Sequence, residues 1–405
     1  MARRETVASG PGSRALVVDV IRSSGPVSRV ELVQATGLTQ PTISNIVRAL
    51  IADGVVRETG DTVATGGKPR TLLAINSEAS YGIGLHVGMG TATCVVTNTR
   101  GGMVGRQLIA APEGTGEVGV ARLSQLCRDT IHALGVDTRA VAGLTVVARG
   151  LVDVGHGRLP SVAPATLGPN LGAALAEQLG FPVLVASDAA AAAVGEYWVR
   201  QVSRDRLFGC LYMGTGISSG VVVDGALHRG ASSNAGQIGH VSAVHNGLAC
   251  PCGNCGCLDL YAAPPAVVTW VRTTPGLADR LGITPEETSW RAFDILARAA
   301  LYGDDGAMAV LAPSTEMLAT AAVTLVNLWD LDTLVLAGPG FAVAGSLYVK
   351  EIRRRLAERA FPRAIHDVQV DLSNNPRESV AIGGAALILQ GSVSPGHGPE
   401  VSLNS

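Results

Sequence analysis

The chain has 405 residues, of which 47% are hydrophobic and 16% charged. This length accommodates two or three domains, and this composition excludes an intrinsically disordered protein. The net charge is −2, but the first 70 residues carry nine Lys or Arg against six acids, a net +3 that leaves −5 for the rest. A moderately basic head on an acidic body is typical of a nucleic-acid reader.

The sequence contains no apolar N-terminal signal segment and no uninterrupted apolar run of membrane-spanning length. Its seven cysteines are mostly clustered, and we expect them to be reduced. These features predict a cytoplasmic protein that makes no contact with a membrane.

Residues 1–12 are polar with a Gly-Pro-Gly stretch and are predicted to be a flexible arm. Residues 13–76 are predicted to form a winged helix-turn-helix domain. After a first helix, Ser28 begins a second with a capping-box signal, and Thr39 caps a third. A short turn at Gly37 separates the last two helices, which is the helix-turn-helix arrangement.

The third helix turns its apolar residues inward and leaves short polar side chains exposed near its N-terminus, where they suit base edges in a major groove. A strand, a glycine-rich loop and a return strand then predict a wing. An ordinary three-helix scaffold and a protein-binding winged domain are the alternatives, but the caps, the turn and the polar face together favour DNA binding. The predicted DNA-contacting residues are Thr39, Gln40, Pro41, Thr42, Ser44, Asn45 and Arg48 of the helix, with Lys68 and Arg70 of the wing.

From residue 77 to residue 390 the pattern alternates between strands and helices. It falls into two halves, and each half opens with a strand, a glycine turn and a second strand. Two such α/β halves resemble the duplicated actin/hexokinase-like (ribonuclease-H-like) ATPase fold. Residues 391–405 are polar, rich in Pro and Gly, and predicted to be a tail.

Four of the seven cysteines lie within eight residues, shortly after His240. Thiolate and imidazole are the ligands that zinc prefers, and four of them close a tetrahedral shell. Reduced surface thiols or a local disulfide are the alternatives, but adjacent Cys-x-Cys pairs have poor disulfide geometry, and the other three cysteines look isolated and buried. The zinc loop is predicted at residues 240–257, and the zinc is expected to be structural because no coordination position stays open. The predicted ligands are His240, Cys250, Cys252 and Cys257, with Cys255 as a fifth candidate that could replace one of them.

The segment Gly236-Gln237-Ile238-Gly239-His240, followed after a gap by Cys-x-Cys-Gly-x-x-Gly-Cys-Leu-Asp at 250–259, resembles the signature of the ROK family of repressors, open reading frames and sugar kinases. The resemblance extends over nearly the whole chain. It includes the winged N-terminal domain of ROK repressors, whose Gly-Arg-Pro-like loop is here Gly67-Lys68-Pro69. In that family the zinc loop fixes one wall of a sugar pocket.

In ROK sugar kinases, an Asp-x-Gly-Gly-Thr loop and a Gly-Thr-Gly-x-Gly-x-Gly loop bind the ATP phosphates, and an Asn-Asp pair holds the sugar, with its Asp as general base. Here His86 stands in place of the first Asp, Ser218 replaces a glycine of the second loop, and Pro339 interrupts the adenosine loop. The general base remains as Asp188. Without the first carboxylate there is little to organise magnesium and triphosphate, so the chain is predicted not to be an enzyme.

The positions that bind sugar in the family remain polar, although Gln237 and Asp259 stand where the family has Glu, which indicates a changed specificity. Buried polar groups of this kind need a hydroxylated partner. Each has a structural alternative: Asp188 could cap the helix that follows it, Gln237 could bond within its loop, and His240 could serve only the metal. The implied sugar-binding residues are Ser187, Asp188, Gln237, His240 and Asp259.

These features predict a sequence-specific transcriptional regulator, a repressor of carbohydrate metabolism or transport genes. Its expected partners are a double-stranded DNA operator and a sugar or sugar-derivative effector such as a sugar phosphate, with zinc as cofactor. A helix-turn-helix on palindromic sites implies a homodimer or homotetramer. Two alternatives stay open: an ATP-dependent ROK sugar kinase with an accessory DNA-binding domain, which Asp188 favours, and a zinc-responsive regulator without a sugar.

Overall fold

The computed structural model describes residues 11–63, 70–88, 90–112, 116–160 and 167–393. The chain divides into two compact units. The first comprises Met1–Arg206, Val223–Leu227 and Val380–Ser405, and the second comprises Leu207–Val222 and His228–Ser379. The chain therefore ends in the unit in which it began.

The N-terminal part of the first unit contains three helices and a three-stranded antiparallel sheet in the order β1-β3-β2. Both predicted caps are confirmed: Ser28 and Glu31 form a capping box, and the Thr39 hydroxyl accepts from the amide of Thr42. Gly37 ends the second helix with a left-handed φ of 70°, a conformation that favours glycine. The elements are α1 (Pro11–Ser24), β1 (Val27–Ser28), α2 (Arg29–Thr36), α3 (Gln40–Ala52), β2 (Val56–Val63) and β3 (Arg70–Ile75).

One apolar core joins these elements. Val17 and Ile21 of α1 are fully or almost fully buried together with Ile43 and Val47 of α3, so the first helix supports the helix predicted to read DNA. Helix α1 begins at Pro11 and thus includes the last two residues of the predicted arm 1–12. The remainder of that arm lies outside the described residues.

The rest of the first unit is built on a five-stranded sheet in the order β6-β5-β4-β7-β8. Strand β4 pairs antiparallel with β5 and parallel with β7, and β7 pairs parallel with β8. The elements are β4 (Tyr81–Val87), β5 (Thr91–Asn98), β6 (Met103–Ala110), α4 (Gly116–Ala133), β7 (Val141–Ala148), α5 (Leu171–Leu179), β8 (Val183–Ser187), α6 (Asp188–Val199) and the last helix of the chain, α13 (Ser379–Val393).

The two faces of this sheet are covered by different helices because strand residues alternate in direction. Ile83 and Leu85 of β4 lie in the core shared with α4 and α5. Gly84 faces the other way, where a Cβ would collide with the carbonyl of Ala381 in α13. Helix α13 therefore packs at backbone distance on the sheet, and it extends past the predicted tail boundary at 391, to Val393.

The second unit repeats the same plan. Its strand β9 pairs antiparallel with β10 and parallel with β12, which pairs parallel with β13. This repetition of one antiparallel hairpin followed by parallel strands confirms the duplicated fold. The two-residue strand β11 (Ala226–Leu227) falls within the range assigned to the first unit. The elements of the second unit are β9 (Phe208–Met213), β10 (Ile217–Val223), α7 (Asp259–Ala262), α8 (Pro264–Thr273), α9 (Leu277–Leu281), α10 (Ser289–Leu301), α11 (Asp305–Trp329), β12 (Thr333–Ala337), α12 (Phe341–Arg359) and β13 (Gln369–Leu372).

Among the described helices, α11 alone is long and apolar enough to cross a membrane by length and composition. Glu316 interrupts its sequence, and half of its apolar stretch is buried, as in the core helix of a globular domain.

The three cysteines outside the predicted zinc loop differ in part from expectation. All three are buried, but Cys94 and Cys127 are not isolated, because their sulfurs lie 4.0 Å apart.

Candidate functional site

The predicted DNA-reading surface is the N-terminal half of α3. Gln40, Pro41, Asn45 and Arg48 are exposed, whereas Thr42 and Ser44 are half-buried. The hydroxyls of Thr39 and Thr42 lie 2.8 Å apart, so the cap already occupies part of their hydrogen-bonding capacity. The exposed amide and guanidinium groups are therefore the strongest candidates for base contacts in this segment.

Asn45 and Arg48 are joined before any DNA is bound. The Arg48 guanidinium donates to the Asn45 side-chain oxygen at 3.2 Å, one helical turn apart. This bond orients the amide of Asn45, a residue type suited to adenine edges. Sequence reasoning treated the two residues separately and missed the pairing, although their i, i+3 spacing could have suggested it.

The structure describes one of the two predicted DNA-contacting cations of the wing. Lys68 and its loop lie outside the described residues. Arg70 opens β3, is half-buried, and is one of the groups that hold the pKa of Glu31 below its ordinary value, after the backbone and side chain of Ser28. Arg70 thus supports the α2 capping box electrostatically in addition to its predicted role on DNA.

In the first unit, the predicted sugar contacts Ser187 and Asp188 lie at the junction of β8 and α6. The cap of α6 is Ser187, whose hydroxyl accepts from the amide of Ala190, and not Asp188 as the structural alternative had it. Asp188 is the first residue of the helix, and its side chain is 13% exposed. The cap therefore leaves the carboxylate available for another partner.

The imidazole of His86 faces that carboxylate. Its Nε2 lies 3.8 Å from Asp188 Oδ1, and its side chain is 19% exposed. Burial raises the pKa of Asp188, while His86 and Arg149 oppose the rise. Burial likewise lowers the pKa of His86, and Asp188 opposes that shift. The residue that replaces the kinase aspartate thus faces the residue that would be the kinase base.

In the second unit, the Gly-Gln-Ile-Gly-His segment is held to β10 by its glycines. Gly236 has a φ of 92°, and its carbonyl accepts from the amide of Ser219 at 2.7 Å. A Cβ on Gly239 would collide with the carbonyl of Ile217 and with Asp259. Close backbone approach therefore explains both glycines of the motif. Gln237 is half-buried and precedes a 3-10 turn at Ile238–His240.

Asp259 is engaged within its own unit. Its Oδ1 accepts from the amide of Ile217 at 2.7 Å, and a Cβ on Gly216 would lie 2.7 Å from its Oδ2. The carboxylate therefore ties the start of α7 to the turn at residues 214–217. This is the turn that the family resemblance assigns to ATP phosphates, and here one of its amides is already bonded to an internal anion.

The four predicted zinc ligands come together. One nitrogen of His240 and the sulfurs of Cys250, Cys252 and Cys257 all lie within 4.8 Å of one another. His240 Nδ1 is 3.8 Å from Cys250 Sγ, and Cys252 Sγ is 3.7 Å from Cys257 Sγ. Ligand atoms with bonds of about 2.3 Å to a tetrahedral zinc lie about 3.8 Å apart. The donor set and its spacing therefore fit a closed zinc site.

Local backbone structure explains the convergence of these side chains. Gly253 and Gly256 have φ values of 96° and 69°, which allow the two tight turns between the cysteines. Burial and the neighbouring thiols raise the pKa of Cys257 to about 12. Cys255 is exposed, and the cluster of four ligand atoms does not include it.

Comparison with known proteins shows the family of this chain. The ROK family pattern matches residues 82–391, about three quarters of the chain. The chain belongs to the ROK family. A xylose repressor of Caldicellulosiruptor bescii is 23% identical over 390 residues, 94% of this chain and 96% of that protein. The DNA-binding transcriptional dual regulator NagC of Escherichia coli is 25% identical over 329 residues, 80% of this chain and 79% of that protein.

Solved ROK structures share the fold. A ROK family transcriptional regulator, a homologue of the Escherichia coli MLC protein, superposes with a TM-score of 0.74 at 24% identity and covers 95% of this chain and 96% of its own. A ROK glucokinase of Streptomyces griseus, solved with glucose and AMPPNP, has a TM-score of 0.63 at 24% identity and covers 76% of this chain and 99% of its own. The match thus includes almost the whole glucokinase, but about a quarter of this ROK chain has no counterpart in it.

Proposed function

We propose that this ROK protein is a sugar-responsive, DNA-binding transcriptional repressor. The observation that carries the proposal is the difference in coverage. Repressors and a regulator match this chain over 94–95% of its length, whereas the glucokinase matches 76% of it with almost its whole chain. The family pattern begins at residue 82, so the additional part is the head with α3.

The effector class is supported by the relatives and by the polar residues. The related regulators are named for xylose and N-acetylglucosamine, and Asp188 and Gln237 keep polar side chains at the positions implied for sugar contacts. A carboxylate and an amide suit the hydroxyl groups of a sugar. We propose that His240 serves mainly as a zinc ligand. Asp259 is proposed to act on the sugar through the turn at residues 214–217.

Zinc is proposed as a resident structural ion held by the His240 cluster. When bound, it would fix the loop that carries Gln237 and precedes Asp259. Binding to chromosomal DNA further implies a cytoplasmic location, and a palindromic operator implies a homodimer or homotetramer.

A direct test measures operator binding with and without sugars. A duplex selected from a random oligonucleotide library would be titrated with the protein by fluorescence anisotropy, in the presence of D-xylose, N-acetylglucosamine or D-glucose. Allosteric coupling free energies of about 1–3 kcal/mol predict a 5- to 150-fold loss of DNA affinity with the correct sugar. The selection of no duplex, or indifference to every hydroxylated ligand, would contradict the proposal.

The reading surface gives a second test. Asn45→Ala should cost about 1–3 kcal/mol on the selected duplex and relax its sequence preference. Arg48→Ala should weaken binding to all duplexes, and the loss of the Asn45–Arg48 bond should add some loss of sequence preference. Arg57→Ala, a change outside α3, serves as a control. An equal loss on every sequence from Asn45→Ala would refute base reading by Asn45.

A kinase activity is the second candidate, because Asp188 is retained. His86 and the Asp259–Ile217 bond both argue against it, and the relatives that match the full length are repressors. A coupled ADP-release assay across hexoses and amino sugars with magnesium should show no turnover. Turnover that disappears in Asp188→Asn would replace the repressor proposal with a bifunctional enzyme.

A further inference from the structure

Arg22, in the last turn of α1, is the most deeply buried cation in the described part of the head, with a side chain that is 2% exposed. Arginine is rarely buried to this extent unless its charge is paired. Its Nη2 lies 2.7 Å from Asp19 Oδ1, three residues earlier. Its Nε also donates to this oxygen, at 3.1 Å. The ion pair accounts for the charge, but a guanidinium has five N–H donors, and the remaining ones point elsewhere.

The remaining N–H groups, among them the second one of Nη2, reach the end of α6 and the residues that follow it. Arg22 Nη2 donates to the carbonyl of Val202 at 2.8 Å, and Nη1 approaches the carbonyl of Trp198 at 3.5 Å. The guanidinium carbon also lies 4.8 Å and 5.0 Å from the ring centroids of Tyr197 and Trp198, within cation–π range. Arg22 is therefore bonded to the segment directly after α6 and stacked on the last turn of that helix, in the α/β part of the first unit.

The aromatic side of this contact is itself fixed. Tyr197 and Trp198 are 1% and 3% exposed. The Trp198 indole donates to the carbonyl of Thr99 at 3.1 Å, and a Cβ on Gly101 would lie 2.8 Å from the indole ring. The two rings form a socket for Arg22, and Trp198 is held in it by contacts that do not involve Arg22.

The opposite end of α6 is the Ser187–Asp188 junction described above. The helix has twelve residues and is about 18 Å long. The helix is buried along almost its whole length, and the carbonyl of Ala191 is in backbone contact with Gly383 of α13. Because such interiors are close-packed, a shift at one end of α6 is transmitted as a rigid displacement and is not absorbed locally.

We propose that α6 and Arg22 form the link that transmits sugar occupancy at Asp188 to the DNA-binding head. Arg22 acts as a positioning residue, because it touches neither ligand. Its helix α1 shares the buried core of α3 through Val17 and Ile21, so a displacement of the Tyr197–Trp198 socket reaches the reading helix. The inference rests on the proposed function, since it takes Asp188 as a sugar contact.

The test is a thermodynamic cycle on the full-length protein. DNA affinity is measured with and without the responsive sugar among D-xylose, N-acetylglucosamine and D-glucose, and sugar affinity is measured by calorimetry with and without the selected duplex. The two ratios must agree because coupling is reciprocal. The wild-type protein should give a coupling factor of about 5 to 150.

Arg22→Lys keeps the positive charge but removes the planar fork that stacks and bonds at once. We expect its coupling factor to fall to within about twofold of one, while sugar affinity without DNA changes less than about twofold. Arg14→Lys is the matched control, because Arg14 lies on the same helix and pairs with Asp53 inside the head. Its coupling factor should equal that of the wild-type protein.

Trp198→Phe provides a second variant that does not depend on Arg22→Lys folding, and it should lose coupling in the same way. A wild-type coupling factor in either Arg22→Lys or Trp198→Phe would overturn the proposed link while leaving the repressor proposal intact. A wild-type protein that binds DNA but responds to no sugar would overturn both. An equal loss in Arg14→Lys would also overturn the link, because it would show that any disturbance of α1 abolishes coupling.

Discussion

The hairpins that open the two α/β sheets differ in separate ways from the phosphate-binding pattern that the resemblance to ROK kinases implies. In the first, His86 replaces a carboxylate and faces Asp188 at 3.8 Å. In the second, the backbone turn at 214–217 is retained, but its Ile217 amide is bonded to the Asp259 carboxylate. One hairpin has lost a side chain that organises a metal ion, and the other has one of its anion-binding amides occupied by an internal anion.

This difference shows that the same loss can be visible or invisible in a sequence. A replaced catalytic residue is apparent from the letters alone. An amide occupied by a carboxylate 42 residues away is apparent only from the fold, because nothing in the spacing says that Asp259 reaches Ile217. We expect that phosphate binding can be restored more easily in the second hairpin, where one side chain occupies an amide, than in the first. Three experiments test this contrast.

Metal removal should have the largest effect, and it should act on the second hairpin alone. Structural zinc binds with about 10 kcal/mol or more, and the loop it would hold ends two residues before Asp259. Chelation, or Cys257→Ser, should accelerate hydrogen exchange at the Ile217 amide and leave the amides of β4 unchanged. Cys255→Ser is the matched control and should retain one zinc per chain. A metal-free purified protein with a protected Ile217 amide would contradict the expectation.

Asp259→Ala should come next. It removes a charged acceptor from the Ile217 amide, which typically costs about 1.5–3 kcal/mol, and it frees that amide for an external anion. We expect a lower midpoint in urea together with measurable binding of inorganic phosphate. Asp259→Asn, which keeps an acceptor but no charge, should restore most of the stability. Phosphate binding that is equally absent from all three proteins would show that Asp259 does not block the turn.

The smallest effect should come from the first hairpin, as a pH dependence. Burial raises the pKa of Asp188, so its ionisation in the folded protein is unfavourable. A carboxyl whose pKa is higher in the folded than in the unfolded chain stabilises the fold at low pH, and that contribution is lost as the pH rises through the raised value. Asp188→Asn should therefore raise the melting temperature at pH 7–8, and the gain should disappear as the pH falls toward about 4.

Asp137→Asn is the control for that experiment. The hydrogen bond from Arg139 lowers the pKa of Asp137. The wild-type carboxylate therefore stabilises the fold above its ordinary pKa, and the substitution should not stabilise the protein at pH 7–8. A destabilised Asp188→Asn at neutral pH would mean that the interaction with His86 outweighs burial. In that case an ion pair between His86 and Asp188 would stabilise the first hairpin, and the two hairpins would differ less from each other.

Local chemistry made much of the fold predictable. The capping box at Ser28, the Thr39 cap and the turn at Gly37 each depend on residues within four positions, and all three are confirmed. The cysteine loop was equally readable, since tight glycine turns bring its thiols together within eight residues. Signals of this kind act over a few residues, where sequence spacing determines distance.

The missed features are contacts between distant parts of the chain. Arg22 and Trp198 are 176 residues apart, and only the packed fold brings the guanidinium onto the indole. Ser187 rather than Asp188 caps α6 because the helix already begins at Asp188, directly after β8. The glycines at 216 and 239 were a signal that could have identified the role of Asp259, because both leave room for one carboxylate.

The backbone contact between β4 and α13 has a consequence for synthesis on the ribosome. The first sheet is complete in sequence at Ser187, but the helix that covers the face of Gly84 begins only at Ser379. At 5–20 residues per second, translation leaves that face without its cover for roughly 10–40 s. During this interval the head has already been made, while one face of the first sheet stays exposed to water.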